Sequence, residues 1–366
     1  MTGSSAGPPF DADLVRLILA GLASEAEAAR RMGLDQDDLR LLLTGLNPGH
    51  AAWVPVEIDD ELASYYVDLG LSAFDVPLFD DVVEGYRRTR ANANTVRFRL
   101  SADVMLCGAA MSLGRAPDGL VFHVGRCGST LLCNLLASVG GWVALREPEF
   151  LNTLFRRLPR ESDRARKDRL EALIAQSLRS LAHGVHLDAE RRERACVVKF
   201  TSWNAIVAER LVTTFDTTPL VVVTRDPCAT VASFLHNPPH WHHSRSEGGG
   251  RLKAARFFAE VWSRTIEATL RFPSQRTLFV DYAELVAEPV TTLQSLCRHL
   301  GDSRARRDLK AAAIVMGNYS KGPHGEPFDP NGRHRLEGLD DAERELVESI
   351  TAASRTALAD RRSPRR

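Results

Sequence analysis

The sequence predicts an α/β protein in which a doubly wound, mostly parallel sheet follows an N-terminal helical domain. Three observations lead to this prediction. From residue 120 onward, five short apolar runs alternate with longer stretches of helical periodicity. The runs are apolar on both faces, which is typical of parallel strands buried between two layers of helices. Before residue 114, leucines recur at helical spacing instead.

Length and composition limit the classes of protein to consider. The chain has 366 residues, which is enough for one large α/β domain and a smaller one. Its formal net charge is zero, so we expect neither nucleic acid nor a membrane as the main partner. The N-terminal residues carry no secretory pattern, and no apolar stretch reaches about 18 residues, the length of a membrane-spanning helix. The six cysteines lack CxxC spacing, so we expect buried free thiols and a cytoplasmic protein.

The N-terminal part, residues 1–116, is predicted to be a helical accessory domain. Residues 14–22 and 39–43 carry leucines at helical spacing, and Asp35 is placed to cap the second helix. Residues 59–90 and 99–113 show helical patterns as well. No group of residues in this part has the spacing of a ligand site, so the sequence assigns it no chemistry.

The α/β domain is predicted over residues 117–366. Its strands are expected at Leu120–Val124, Trp142–Arg146, Cys196–Thr201, Pro219–Arg225 and Arg276–Tyr282. Its helices are expected at Ser129–Val139, Asp163–His183, Trp203–Phe215, Ala229–Leu235, Leu252–Phe272 and Asp340–Leu358. Two long loops, residues 237–251 and 318–338, are rich in glycine and proline, and loops of this length are usually functional or disordered.

The strongest functional signal is the loop between the first of these strands and the first helix. Residues 125–130 read Gly-Arg-Cys-Gly-Ser-Thr. The glycines allow close approach to the backbone, the N–H groups of Gly128, Ser129 and Thr130 lie at a helix N-terminus, and Arg126 adds a positive charge. This layout predicts a site for a phosphate or sulfate ester. The loop lacks the Lys of a Walker A motif, and a glycine turn without a ligand is the alternative interpretation.

Three other predicted strands end in polar side chains, and the carboxyl ends of parallel strands meet at one edge of a sheet. Glu147 is placed either to act as a general base beside an anion or to begin the next helix. Lys199 ends an apolar strand, where it needs a charged partner or a route to solvent. Arg225, with Ser233 two helical turns later, suits a second phosphate; pairing of Arg225 with Asp226 is the alternative.

In this combination the chain resembles the sulfotransferases that use 3′-phosphoadenosine 5′-phosphosulfate (PAPS), over residues 118–340. Residues 122–131 resemble the 5′-phosphosulfate loop of that family, and Arg126 falls where the family has a catalytic Lys or Arg. Arg225 and Ser233 match the pair that holds the 3′-phosphate. Residues 280–285 resemble the family's Tyr-Glu-x-Leu segment, and residues 319–322 resemble the loop that closes over the nucleotide.

The resemblance implies a P-loop-like sulfotransferase fold and transfer of a sulfuryl group to a hydroxyl or amine of a small molecule or peptide, with no metal. The product of PAPS would be 3′-phosphoadenosine 5′-phosphate (PAP). Catalysis is assigned to Glu147, Arg126 and Lys199. Cofactor binding is assigned to Arg126, Cys127, Gly128, Ser129, Thr130, Arg225, Ser233, Lys321 and Gly322.

The chain departs from the family pattern at two places. Small-molecule sulfotransferases carry Lys-x-His at the third strand and use the His as the base, whereas this chain reads Lys199-Phe200-Thr201. Tyrosylprotein-type members place a Glu after the second strand, so we assign Glu147 as the base. The late loop also lacks the family's Gly-x-x-Gly-Asp-Trp-Lys run.

Two other functions stay open at this point, a P-loop kinase and a non-catalytic nucleotide-binding protein. A kinase would need a Walker Lys and an Asp for Mg²⁺, and the sequence places neither. His236, His240, His242 and His243 have irregular spacing, which favours a surface loop over a zinc site. The sequence names neither the acceptor nor the oligomeric state, and a homodimer is compatible with it.

Overall fold

The structure is a computed structural model. It describes residues 53–68, 79–81, 83–84, 97–100, 102, 105–106, 115–186, 195–239, 250–302, 315 and 338–362. They belong to two compact units, one formed by residues 1–117 and 148–196 and the other by residues 118–147 and 197–366. The predicted domain boundary near residue 116 stays a prediction.

The strands and helices are named here in chain order. The strands are β1 (Trp53–Ile58), β2 (Ser64–Asp68), β3 (Arg97–Leu100), β4 (Gly119–His123), β5 (Trp142–Arg146), β6 (Ala195–Lys199), β7 (Leu220–Thr224) and β8 (Thr277–Asp281). The α-helices are α1 (Ser129–Ser138), α2 (Glu149–Arg157), α3 (Arg164–His186), α4 (Glu209–Thr214), α5 (Pro227–His236), α6 (Arg251–Leu270), α7 (Tyr282–Ala287), α8 (Pro289–His299) and α9 (Asp341–Arg362).

The first unit contains an antiparallel sheet in the order β1-β2-β3. The carboxylate of Asp59 accepts hydrogen bonds from the N–H groups of Glu61 and Ala63 and so closes the turn between β1 and β2. The helix expected over residues 59–90 is therefore wrong at β2, where Ser64 and Tyr66 are buried and Tyr65 between them is half-buried. Aromatic and β-branched residues with this alternation favour a strand. The helices expected at residues 14–22 and 39–43 lie outside the described residues.

The second unit is built on a sheet in the order β5-β6-β4-β7-β8. Strand β4 pairs in parallel with β6 and with β7, and β7 pairs in parallel with β8. All five predicted strands are confirmed. Strands β4, β5 and β7 are buried along their whole length and β6 is buried except at Ala195, as their apolar runs predict, whereas the edge strand β8 is buried only at Val280. Since β5 and β6 lie on one side of β4 and β7 and β8 on the other, the carboxyl end of β4 is the switch point at which such sheets bind ligands.

Helices α5, α6 and α9 pack together in the second unit around a cluster that includes Val231, Phe234, Phe258 and Val347. The rings of Phe234 and Phe258 stack with centroids 4.7 Å apart. This packing fixes α5, whose first residues follow β7. Within the part of the chain that the structure describes, no helix combines the length and apolar character needed to cross a membrane.

Candidate functional site

The loop predicted to bind an anion leaves the carboxyl end of β4 in an unusual backbone conformation. Gly125, Arg126 and Gly128 have φ angles of 84°, 49° and 77°, in the left-handed region that glycine adopts most readily. A Cβ at Gly125 would overlap the ring of Phe234, and a Cβ at Gly128 would lie 2.7 Å from the ring of Tyr282. Both glycines are therefore required by backbone conformation and by space.

Helix α1 begins directly after this loop. Gly128 is its N-cap, and no side chain caps the helix. The N–H groups of Ser129 and Thr130 thus belong to the first turn, where they have no partner within the helix, and both residues are buried. This arrangement of backbone donors at the switch point of the sheet has the geometry that binds anions in other proteins.

Lys199 brings two strand ends and the loop together. Its side chain is fully buried, and its ammonium group donates a hydrogen bond to Thr130 Oγ1 at 3.3 Å and forms an ion pair with the carboxylate of Glu147. Removal of an ammonium from water is costly unless a counter-charge accompanies it. Of the two interpretations of Lys199 in the sequence, the charged partner is the one that the structure shows.

Glu147 has a conformation that few residues other than glycine adopt. Its φ angle is 53°, and its N–H donates to the carbonyl oxygen of Lys199 at 2.7 Å. A non-glycine residue in this region costs about 1 kcal/mol or more, and such residues are concentrated at functional sites. Helix α2 begins two residues later, at Glu149. Glu147 is therefore not part of the first turn of α2, and about a quarter of its side chain is exposed to solvent.

A residue that the sequence analysis missed, His123, lies in the same cluster. Its Nδ1 accepts a hydrogen bond from the N–H of Gly125 at 3.0 Å, and its Nε2 lies 2.8 Å from the carbonyl oxygen of Phe200 and 3.7 Å from Oε1 of Glu147. Because Nδ1 is an acceptor here and Phe200 offers only an oxygen, the bonding pattern assigns the proton to Nε2. His123 could have been found from the sequence, because it is a histidine that ends an apolar strand two residues before the anion loop.

Arg225 is held at the other side of the loop by neutral groups. Its Nη1 donates to the carbonyl oxygen of Arg126 at 2.7 Å, and its guanidinium carbon lies 4.5 Å from the centre of the Tyr282 ring. Asp226 does not pair with it but caps α5 by accepting from the N–H of Ala229. Ser233, the predicted companion of Arg225, lies on α5 and is half-buried.

The segment that begins at Asp281 supports both Arg225 and the loop. Asp281 caps α7 by accepting from the N–H of Ala283 at 2.8 Å, which fixes the position of Tyr282. The ring of Tyr282 then contacts Gly128 on the loop and Arg225 on β7's end. Arg362 at the end of α9 bonds to Asp281 at 3.2 Å and to Glu284 at 2.5 Å. The segment Tyr282-Ala283-Glu284-Leu285 thus forms a support behind the anion loop.

Two predicted loop residues, Arg126 and Cys127, differ in the surroundings of their side chains. The guanidinium of Arg126 donates to the carbonyl oxygen of Asn237 and lies 5.7 Å from the centre of the Phe234 ring. Cys127 is fully buried, and burial raises the pKa of its thiol despite the opposing effect of the Lys199 charge. The thiol is therefore not a nucleophile, and Cys127 contributes to an anion site only through its backbone.

The remaining predicted residues are only partly covered by the structure. Lys321 and Gly322 lie outside the described residues, as do His240, His242 and His243, whereas His236 is exposed in the last turn of α5. Among the residues that the structure describes, no group of three or more His, Cys, Asp or Glu side chains is arranged to hold a metal ion.

Comparison with known proteins decides the family. The sequence profile of the sulfotransferase family matches residues 121–304, about half of the chain. The chain belongs to the sulfotransferase family. The matched segment contains the anion loop, Glu147, Lys199, Arg225 and Ser233. No curated protein matches the chain significantly.

Several solved sulfotransferase structures are similar to this chain at low sequence identity. Sulfotransferase STF9 from Mycobacterium avium has 12% identity and a TM-score of 0.44, with 96% of this chain and 97% of that chain covered. A sulfotransferase domain from the curacin biosynthetic pathway has 16% identity and a TM-score of 0.41, with coverage of 68% and 98%. A mouse sulfotransferase complexed with PAP has 12% identity and a TM-score of 0.38, with coverage of 72% and 96%.

Proposed function

We propose that the protein transfers a sulfuryl group from PAPS to a hydroxyl or amine group of an acceptor. The observation that carries the proposal is the buried ammonium of Lys199, which bonds to Thr130 of the anion loop and to Glu147 at the end of the neighbouring strand. One cation thus links a group suited to hold an anion with a group suited to accept a proton. Membership of the sulfotransferase family supports the choice of a sulfuryl group.

The anion loop is the proposed site of the 5′-phosphosulfate. The first-turn N–H groups of α1 carry partial positive charge, and Lys199 adds a full charge beneath them. These donors are fixed by the fold before any ligand arrives, which makes them effective at stabilising charge that develops during a reaction. Gly128, Ser129 and Thr130 act here through the backbone, with Thr130 also holding Lys199.

Arg225 and Ser233 are the proposed site of the 3′-phosphate. Arg225 is oriented by the carbonyl oxygen of Arg126 and by the Tyr282 ring, and these neutral partners leave its charge available to an anion. Its bond to Arg126 connects this second anion site directly to the loop that forms the first one. A mouse sulfotransferase that is similar to this chain is complexed with PAP, which supports a nucleotide with these two anionic groups.

When bound, PAPS supplies the sulfuryl group: the acceptor oxygen or nitrogen forms a bond to sulfur while the bond from sulfur to the bridging phosphate oxygen breaks. Glu147 accepts the proton that the acceptor loses. Lys199 stabilises the negative charge on the departing bridging oxygen, so that PAP leaves as the product. Arg126, whose guanidinium bonds to the carbonyl oxygen of Asn237, is the proposed third cation of the site.

The pairing of Lys199 with Glu147 has a consequence for this mechanism. A carboxylate that is paired with an ammonium is a weaker base than one that is not. If Lys199 turns from Glu147 toward the sulfuryl oxygens, the carboxylate gains basicity at the moment when the acceptor proton must be removed. The resting ion pair then holds the base in its less active form until the donor is present.

Calorimetric titration with PAP, with ATP–Mg²⁺ as the comparison ligand, tests the binding half of this proposal. We expect PAP to bind and ATP–Mg²⁺ to bind much more weakly, because the loop lacks a Walker Lys. Preference for ATP–Mg²⁺, accompanied by its hydrolysis, would favour a kinase and overturn the proposal.

The catalytic half is tested by the consumption of PAPS with a panel of phenol, alcohol, amine and peptide acceptors. Glu147→Gln should lower the rate by about a hundredfold or more, since it keeps the shape but loses the base. Glu149→Gln, an exposed carboxylate on α2, is the matched control and should retain the rate. Binding of PAP without consumption of PAPS over the whole panel would instead indicate a non-catalytic nucleotide-binding protein.

A further inference from the structure

We propose that His123 is a positioning residue that holds both the anion loop and Glu147, an inference that rests on the proposed sulfuryl transfer. At the end of strand β6, Thr201 occupies the position two residues after Lys199 where the resemblance leads one to expect a histidine that acts as the base. The structure nevertheless places a buried imidazole at this edge of the sheet, from the neighbouring strand β4. Its contacts determine what it can do there.

The first contact holds the loop. Nδ1 of His123 accepts from the N–H of Gly125 at 3.0 Å. Gly125 begins the left-handed stretch that leads to α1, and its conformation sets the direction of the N–H groups that follow. With the ring in place, the Gly125 N–H is satisfied inside the protein, so it does not compete with the first-turn N–H groups of α1 for an anion.

The second contact excludes His123 as a base. Because Nδ1 already accepts a hydrogen bond, the proton resides on Nε2, which lies 2.8 Å from the carbonyl oxygen of Phe200. A ring nitrogen that carries a proton and donates it cannot take a proton from an acceptor. His123 therefore does not replace the missing strand-end histidine in its chemical role.

The third contact connects His123 to Glu147. Nε2 lies 3.7 Å from Oε1 of Glu147, the same oxygen that pairs with Lys199. The positive end of the Nε2–H dipole is thus close to the carboxylate. When Lys199 turns toward the sulfuryl group, this dipole remains and keeps the carboxylate in place. In this way the ring acts through Glu147 rather than on the substrate.

Two substitutions separate these contacts, because each amide reproduces one ring nitrogen. The side-chain oxygen of His123→Asn lies near the position of Nδ1, so it retains the acceptor for Gly125 and loses the donor beside Glu147. The side-chain nitrogen of His123→Gln lies near the position of Nε2, so it retains the donor and loses the acceptor for Gly125.

The experiment measures the Kd for PAP by calorimetry, the rate of PAPS consumption at saturation and the melting temperature of the wild type and both variants. His123→Gln should weaken PAP binding by about tenfold, the effect of losing one buried hydrogen bond in the loop. His123→Asn should bind PAP within about threefold of the wild type but lose about tenfold or more in the saturated rate.

The outcomes distinguish this inference from the proposed function. If the wild type binds PAP and consumes PAPS, while both variants lose affinity and rate equally and in step with the melting temperature, His123 is only a structural residue and the inference is wrong. If the wild type fails to bind PAP or to consume PAPS, the proposed function fails, and the role of His123 in the reaction fails with it.

Discussion

The two cations of the candidate site, Lys199 and Arg225, are held in opposite ways. Lys199 is fully buried and neutralised by the carboxylate of Glu147. Arg225 is half-buried, and its partners among the described residues are a carbonyl oxygen and an aromatic ring. Under the proposed function, Arg225 is ready for an anion at all times, whereas Lys199 must change partner first. Binding and chemistry are therefore expected to respond differently to substitutions at the two positions.

The largest expected effect is on the rate, from Lys199→Met. The variant loses the cation proposed to stabilise the leaving oxygen, and we expect the rate of PAPS consumption to fall by about a thousandfold. It also leaves the carboxylate of Glu147 without its cation, which should lower the free energy of unfolding by about 2 kcal/mol. Steady-state kinetics and denaturant titration measure the two effects. Lys167→Met, on the exposed face of α3, is the control and should change neither.

The second prediction concerns affinity and uses Arg225→Gln. The charge-assisted contact with the 3′-phosphate is lost, so the Kd for PAP should rise by about thirtyfold. Adenosine 5′-phosphosulfate has no 3′-phosphate, and its affinity should change by less than about threefold. Equal loss for both nucleotides would mean that Arg225 only supports the loop through the carbonyl of Arg126, and the comparison with Lys199 would fail.

A smaller effect is expected at the aromatic support of Arg225. Tyr282→Leu removes the ring beneath the guanidinium, and the Kd for PAP should rise by about fivefold, as for the loss of a cation–π contact. Tyr282→Phe retains the ring face and should bind PAP like the wild type. Calorimetry on both variants measures the difference. If Tyr282→Phe is as weak as Tyr282→Leu, the hydroxyl rather than the ring supports Arg225.

The smallest expected effect is on the pH dependence of stability, and it comes from His299, which is not part of the candidate site. Burial lowers the pKa of His299, whose Nε2 lies 3.0 Å from the carbonyl oxygen of Leu220 at the start of β7. The unfolded chain therefore takes up this proton at a higher pH than the folded one, so stability should fall as the pH drops below 6.5. His299→Gln should flatten the dependence of melting temperature on pH over this range while leaving the Kd for PAP unchanged. If the melting temperature of the variant depends on pH as steeply as that of the wild type, other groups cause the dependence.

Much of the α/β fold could be predicted from the sequence because its strands are uninterrupted apolar runs. The anion loop could also be predicted from the sequence, since its backbone conformation requires glycine at positions 125 and 128. Strand β2 was missed because Tyr65 and Tyr66 also fit a helical pattern, and the turn at Asp59 that closes the hairpin was not recognised.

The contacts of the site were harder to predict than its residues. Glu147, Lys199 and Arg225 were each found as polar strand ends, but their pairing depends on the spatial order of the strands. The order β5-β6-β4 places Glu147 beside Lys199 and His123, and no local pattern encodes it. His123 was read as part of an apolar strand. The role of Tyr282 depends on packing against Gly128 and Arg225, which are distant in sequence.

The contact of Arg362 with Asp281 and Glu284 has a consequence for how the protein is made. Domains form progressively as the chain leaves the ribosome, and α9 follows all the described strands along the chain. A nascent chain that ends near residue 340 already contains the anion loop, Glu147 and both cations. It lacks the brace behind Tyr282 and the packing of α9 against α5 and α6. Synthesis thus delivers the polar groups of the candidate site early, and α9 adds the support behind Tyr282 late.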